Sequence, residues 1–262
     1  MTKKKDYIRL LAMSDFHCGH ELGLTPPKHD PGARLTPQRH RMRREIWNWF
    51  ADNTKNLKPD VIIFNGDAID GLGQSSASSE LIYTDRKDQV TMATDILLGI
   101  GGKPEIYMSY GTAYHTGKGE DWEDLIAANV KAVKIGSEDD IEIRGTVFNY
   151  KHHLGRSGVP SGRTTAVLKD ALWNQIWAAR GEYARADVLL RSHVHYHQYA
   201  GDSDTLALTL PALQGYGTKF GGRRMSGTVD VGFVVFDIYA KGDYDWNSHI
   251  WRARLKKPLV AG

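Results

Sequence analysis

Aspartate and histidine recur in this chain in patterns that could grip metal ions. Asp15 and His17 stand one residue apart in Ser14-Asp15-Phe16-His17, and Asp67 and Asp70 lie in Asn65-Gly66-Asp67-Ala68-Ile69-Asp70. His115 ends Gly111-Thr112-Ala113-Tyr114-His115, His152 and His153 are adjacent, and His193 and His195 flank Val194. Each group closes a short apolar run rich in β-branched residues: Tyr7 to Met13, Val61 to Phe64, Glu105 to Tyr110, Thr146 to Tyr150 and Asp187 to Leu190. These runs read as strands. Alternate residues of an extended segment point the same way, so Asp15 and His17 are expected to converge. Gly66 gives the backbone freedom to turn and present Asp67 beyond its strand. In α/β sheets, sites form beyond the carboxyl ends of strands, so five strands ending in candidate ligands are expected to share one pocket.

An imidazole and carboxylate set suits Mn, Fe, Zn or Ni better than Ca or Mg, and a carboxylate such as Asp67 can bridge two ions. Two ions about 3.5 to 4 Å apart would clamp a phosphoryl group and lower the pKa of a shared water, supplying hydroxide near neutral pH. The reaction this predicts is hydrolysis at phosphorus.

The elements that must hold these residues alternate in type. Thr36 is placed to cap, and Pro37 to open, a helix that buries Met42, Ile46, Trp49 and Phe50. Further helices are expected over about 85–98, 121–134 and 164–180, the last stopped by Gly181. Residues 19–37, rich in Pro, Gly and His, read as a loop. Past residue 200 only strands are expected, at Thr205 to Leu210, Val229 to Tyr239 and Asp245 to Arg254. This order predicts an α/β fold of packed sheets with helices outside. The expected organisation is a single domain over 1–262 with a loop and helix insertion at about 19–56.

A chain of 262 residues, 41% of them hydrophobic, can bury a sizeable core, and a net charge of +3 suits an anionic substrate without marking a nucleic-acid-coating protein. The lone Cys18 excludes an internal disulfide, and it is expected to fill space rather than to ligate metal. No apolar run is long enough to cross a bilayer, and Met-Thr-Lys-Lys-Lys lacks the apolar stretch of a secretory signal. A cytoplasmic protein with no membrane partner is the expectation.

Over residues 10–197 the motifs resemble the calcineurin-like metallophosphoesterase family, whose pattern runs Asp-x-His, Gly-Asp-x-x-Asp, Gly-Asn-His-Asp/Glu, a lone His, then Gly-His-x-His. The resemblance implies two mixed β-sheets flanked by helices in a four-layer αββα sandwich. It implies that Asp15, His17 and His195 hold one divalent transition-metal ion, that His152 and His193 hold another, and that Asp67 bridges them. Manganese leads the candidates, followed by Ni, Zn and Fe. Asp70 would orient a ligand or the turn. Of the paired histidines, the first, His152, is the expected ligand, with His153 packing or touching substrate. Two departures stand out. Ser192 replaces the glycine before His193, and the third motif lacks its asparagine, leaving Thr112, His115 or water to complete the second half-site. The resemblance gives His115 the catalytic role beside the leaving group. Gly-Thr-x-Tyr-His, the His-His pair and Arg191 to Tyr196 also resemble a phage or prophage-type branch. That implies an enzyme of the host cytoplasm acting on a nucleotide or nucleic-acid phosphoester.

Beside the pocket, Arg156 and Arg163 border a Gly/Ser loop that leads into a helix and are expected to bind substrate phosphate; an ordinary surface loop is the alternative. Arg39, Arg41, Arg43 and Arg44 read as a solvated helix face, and Trp47, Trp49, Trp173 and Trp177 as core or interface. The function expected is a binuclear phosphodiesterase or phosphomonoesterase. The alternatives are a DNA or RNA nuclease, or a non-catalytic scaffold that keeps the fold and binds a partner through residues 19–45. A homo-oligomer is the remaining partner expectation.

Overall fold

The computed structural model describes residues 6–33, 36–219 and 229–253. In chain order it contains β1 (Ile8–Met13), α1 (Pro37–Thr54), β2 (Val61–Asn65), α2 (Arg86–Leu98) and β3 (Glu105–Ser109). Next come α3 (Ala113–Thr116), α4 (Glu123–Val130), β4 (Lys134–Gly136), β5 (Glu138–Ile143), β6 (Thr146–Lys151) and α5 (Arg163–Ala179). β7 (Val188–Arg191), β8 (Gln198–Gly201), β9 (Leu206–Thr209), β10 (Val231–Ile238) and β11 (Tyr244–Trp251) complete the order. Residue 254, at the end of the last expected strand, and the first five residues lie outside the described residues.

Side-chain alternation sorts the central strands between two cores. In β1, Leu10 and Ala12 turn one way while Leu11 and Met13 turn the other; in β2, Val61 and Ile63 oppose Ile62 and Phe64. A strand covered on both faces needs an unbroken apolar run, and β2 is buried at every residue. One sheet runs β11-β10-β1-β2-β3-β4, with β1 to β4 parallel and β10 and β11 antiparallel; the other runs β5-β6-β7-β9-β8. The sheets face each other across Leu10, Ile63, Phe148, Val188, Leu208 and Phe236. Outside the first sheet, α1, α2 and α4 cover Leu11, Phe64 and Met108 with Ile46, Phe50, Ile96 and Ile126. Outside the second, α5 lays Val167 and Ala171 on Leu189, Val194 and Ala207. The result is an α/β fold of two mixed sheets flanked by helices. Among the described residues, no helix is long and apolar enough to cross a membrane.

Several boundaries differ from expectation. The helix expected over 121–134 stops at Val130 because Lys131 turns left-handed (φ 55°) and releases the chain into β4. β5, Glu-Asp-Asp-Ile-Glu-Ile, escapes a search for apolar alternation because it is an edge strand with an acidic face, and β8 is a polar edge on the opposite side.

Part of the expected loop is buried. Residues 19–26 are covered, with Glu21 N–H donating to Glu80 O (2.8 Å) and Gly215 N–H to Leu22 O (2.7 Å). α1 begins as expected, Thr36 Oγ1 accepting from Arg39 N–H, but its arginines do not form a solvated face. Arg43 is 1% exposed and donates to Glu21 O, Gly32 O and Asp30 Oδ1, while Arg39 bridges Glu21 and Glu80. These two cations pin the insertion, and only Arg41 and Arg44 face outward. Removing one partner of a buried pair strands the other charge. In urea denaturation, Arg43→Ala is therefore expected to lose about 3 kcal/mol, and the exposed Arg41→Ala less than about 0.5 kcal/mol.

Candidate metal centre

The candidate ligands gather where β1, β2, β6 and β7 end, although not by the strand alternation expected. β1 stops at Met13, and Asp15 (φ 55°), His17 (φ 46°), Asp67 (φ 54°), His193 (φ 73°) and His195 (φ 57°) all take the left-handed conformation. Side chains with a Cβ resist this region, Asp and His less than most. The kinked segments stay registered through Asp15 N–H to Gly66 O (2.9 Å) and His17 N–H to Asp67 O (3.1 Å). Gly66 (φ 81°) and Gly111 are required by contact as well. A Cβ on Gly66 would meet His152 Nδ1 at 2.7 Å, and one on Gly111 would meet Asp67 Oδ1 at 2.2 Å. Ser192, where the resembled motif has glycine, is absent from the positive-φ residues, so its side chain is tolerated.

In the first cluster, His195 Nε2 lies 3.1 Å and His17 Nε2 3.7 Å from Asp15 Oδ1. The two Nε2 atoms are 3.2 Å apart. His17 Nδ1 is engaged by Asp70 Oδ1 at 3.0 Å, which aims Nε2 inward. Asp15 is fully buried, and neither of its oxygens accepts a hydrogen bond. A buried carboxylate without donors, faced by converging imidazole nitrogens, fits a cation of the transition-metal kind.

In the second cluster, His152 Nε2 sits 3.0 Å from Asp67 Oδ2, and His152 Nδ1 donates to Asn65 O (2.7 Å), leaving Nε2 as the inward lone pair. Thr112, one of the groups considered for the second half-site, lies against Asp67. Its N–H donates to Asp67 Oδ1 (2.6 Å) and its hydroxyl to Asp67 Oδ2 (2.9 Å), with His193 Nδ1 at 3.3 Å and His152 Nε2 at 3.4 Å from that hydroxyl. Among the described residues, three groups bring ligand atoms within 4.8 Å of one another: Asp15, His17 and His195; His17, Asp67 and His115; Asp67, His152 and His193. Asp67 thus belongs to two of them.

His115 stands on the first side, in the short α3, its ring 4.6 Å from that of His17 and its Nδ1 donating to Asp70 O (3.1 Å). His153 is exposed beside the His193 ring, outside these groups, and Cys18 is buried and belongs to none of them. Trp47 and Trp49 pack on the core, whereas Trp173 and Trp177 stack half-exposed on α5.

Two residues that carry the arrangement have no role assigned by the sequence, although Asn65 opens the motif that holds Asp67. Asn65 donates to Lys151 O and Ser192 Oγ and accepts from Ser109 Oγ (2.7 Å), tying four strand ends together. Glu123, the first residue of α4, is fully buried and accepts from Ala68 N–H (2.8 Å) and Gly111 N–H (2.6 Å). It locks the two loops that bring Asp67 and Thr112 together. A glutamate in a first helical turn ordinarily reads as a partner of the helix dipole, so its spacing carried no signal of this role. Burial pushes its carboxyl up to about 7.

The electrostatics are lopsided. Burial pushes His17 and His152 down, yet the facing carboxylates outweigh it and raise them to about 10 and about 9. Burial and the charge of His152 push His193 down to about 4. Burial would raise Asp15 and Asp67, but the surrounding imidazoles hold both well below the usual carboxylate range.

No protein-family model matches this sequence, and no curated protein matches it. Solved structures align at low similarity. Zinc-bound wild-type Vps29 from Entamoeba histolytica is 12% identical over 93% of this chain and 99% of that one, with TM-score 0.48. An archaeal phosphodiesterase is 14% identical over 92% and 100%, TM-score 0.44. A protein of Streptococcus pneumoniae TIGR4, described as a predicted phosphoesterase, is 13% identical over 93% and 98%, TM-score 0.39.

Two outcomes follow from the geometry. Metal-free protein should hold protons on His17 and His152 at pH 7, so metal binding releases protons and tightens as pH rises toward 9. Calorimetry in buffers of different ionisation enthalpy checks this. Because both pKa values are raised on folding, their stabilisation of the metal-free chain is full below about 6.5 and is lost as pH rises through about 9 to 10. The second outcome concerns Glu123→Gln, which turns an NH2 toward a backbone N–H. It should lower metal affinity by about tenfold or more in titration calorimetry; unchanged affinity would deny Glu123 its positioning role.

Proposed function

We propose that this protein is a binuclear metal-dependent phosphoesterase that hydrolyses a phosphodiester or phosphomonoester of nucleotide type. The observation that carries this reading is Asp67, a buried carboxylate common to two ligand groups drawn from the ends of both sheets. Asp15, His17, Asp67 and His195 would hold one ion. His152, His193, the shared Asp67 and Thr112 would hold the other. Manganese suits this donor set, as do Ni, Zn and Fe. Two such ions would polarise a phosphoryl group and acidify the attacking water.

The chain's own groups do the rest. The Nδ1 proton of His115 is committed to Asp70 O, which leaves Nε2 as the atom that can carry a proton to the departing oxygen. Burial lowers its pKa. Asp70 positions His17 through Nδ1 and His115 through its carbonyl, so one residue orients both rings. Arg156 and Arg163 are the substrate contacts of this reading.

The test uses bis(p-nitrophenyl) phosphate and p-nitrophenyl phosphate with Mn, Ni, Zn or Mg added. Turnover is expected with at least one pairing and should vanish in Asp67→Asn together with part of the bound metal. His115→Ala should lose about 10²-fold in kcat on an alkyl ester and less on nitrophenyl esters, whose leaving group needs no proton. No turnover by metal-loaded protein, with metal content unchanged in Asp67→Asn, would overturn the proposal.

A further inference from the structure

The segment that joins the His152–His153 pair to α5 carries two arginines, Arg156 on the loop and Arg163 at the helix start. Arg163 is the first residue of α5, and its guanidinium carbon lies 4.6 Å from the centre of the Tyr196 ring. Arg156 is exposed on the preceding loop, seven residues before Arg163. Burial and the Arg163 charge lower its pKa against an opposing effect of Tyr196. Among the described residues, neither arginine has a carboxylate partner.

Two further polar groups in the same place lack partners. Arg163 Nε is buried without an acceptor, and Tyr196, 1% exposed, has a buried hydroxyl without a hydrogen-bond partner. Like charges held together repel, and buried polar groups are ordinarily satisfied, so this arrangement is incomplete as it stands. An anion rich in acceptor oxygens completes it, since arginine forks match phosphate oxygens and a tyrosine hydroxyl can donate. The loop leaves room for such a group: a Cβ added at Gly155 or Gly158 would meet nothing within 4 Å.

The position bears on what that anion is. Tyr196 directly follows His195, and Arg156 lies three residues beyond His153, so its Cα can be no more than about 11 Å from that of His153. We infer that Arg156, Arg163 and Tyr196 form a second phosphate subsite beside the metal centre, and that the substrate carries a further phosphate group next to the one that reacts. This rests on the phosphoesterase reading and narrows it from simple esters to nucleotides with more than one phosphate or to a phosphodiester strand.

The experiment has two arms. In the first, metal-stripped protein is titrated with inorganic pyrophosphate. Wild type should bind it in a salt-sensitive manner, with affinity reduced about tenfold in Arg156→Ala and in Arg163→Ala and partly restored in Arg163→Lys. In the second, metal-loaded protein is given thymidine 3′-(p-nitrophenyl phosphate) with and without a 5′-phosphate. The 5′-phosphate should raise kcat/KM about tenfold through KM, and Arg163→Ala should bring that ratio near one. Replacing the 5′-phosphorylated nucleoside by a 5′-phosphorylated thymidine dinucleotide or by a nucleoside diphosphate ester distinguishes a strand from a free nucleotide as its source. No pyrophosphate binding by wild type, or a ratio already near one, would overturn the subsite while leaving the phosphoesterase reading intact. Pyrophosphate binding lost in both arginine variants, without turnover of any ester, would support the subsite and count against that reading.

Discussion

The Asp67 carboxylate is the junction on which the rest of this molecule depends. It leaves β2 in the first sheet, accepts both the N–H and the hydroxyl of Thr112 from the loop after β3, and faces His152 Nε2 from β6 in the second sheet at 3.0 Å. The two sheets otherwise meet through apolar side chains, which fix their separation but not the placement of single atoms. Polar contacts at the strand ends supply that placement. Asn65 reaches from β2 to Lys151 O and Ser192 Oγ, and Glu123 clamps the amides beside Asp67 and Thr112 from the start of α4. Each of these residues holds another that holds a candidate ligand.

Such an arrangement is costly to hold. Five of the six candidate ligands adopt the left-handed conformation, which for residues with a Cβ costs about 1 kcal/mol each. Together that is about 5 kcal/mol, of the same order as the net stability of a whole domain. Asp15 adds a fully buried carboxylate whose oxygens accept no hydrogen bond. Strain and desolvation fall on the same few residues, and a structure relaxes such a cluster unless the surrounding contacts hold it. The apolar faces of β1 and β2 do so from below, with Leu11, Met13, Ile62 and Phe64 all fully buried.

How much was legible in the sequence follows from which interactions are periodic. β1, β2, β3, β6, β7 and the capped start of α1 were readable because burial on one or two faces writes a pattern into neighbouring residues. The edge strands β5 and β8 have little apolar burial to write one, and they were missed. The candidate ligands were legible as residue types at strand ends. How they converge was not: alternation was expected to align Asp15 with His17, whereas left-handed turns do it. Glu123 and Asn65 act through hydrogen bonds to groups distant in sequence, and such contacts leave no local spacing. Arg43 was misjudged for the same reason, because its partners Asp30, Gly32 and Glu21 lie in an irregular segment with no periodicity of its own.

The arginines show how similar residues on one chain come to serve different ends. Arg39 and Arg43 are engaged by the carboxylates of Glu21, Glu80 and Asp30 and by Gly32 O, so their charge is largely neutralised within the fold. Arg191 is likewise buried, between Asp170 and Glu138. Among the described residues, Arg156 and Arg163 face no carboxylate. A net charge of +3 says nothing about this division, because it does not record which cations are paired inside the fold. Arg156 stands on the loop after His153, and Arg163 lies over Tyr196, the residue after the candidate ligand His195. An anionic substrate approaching the clustered histidines would therefore meet its unpaired positive charge on the side where the second sheet ends.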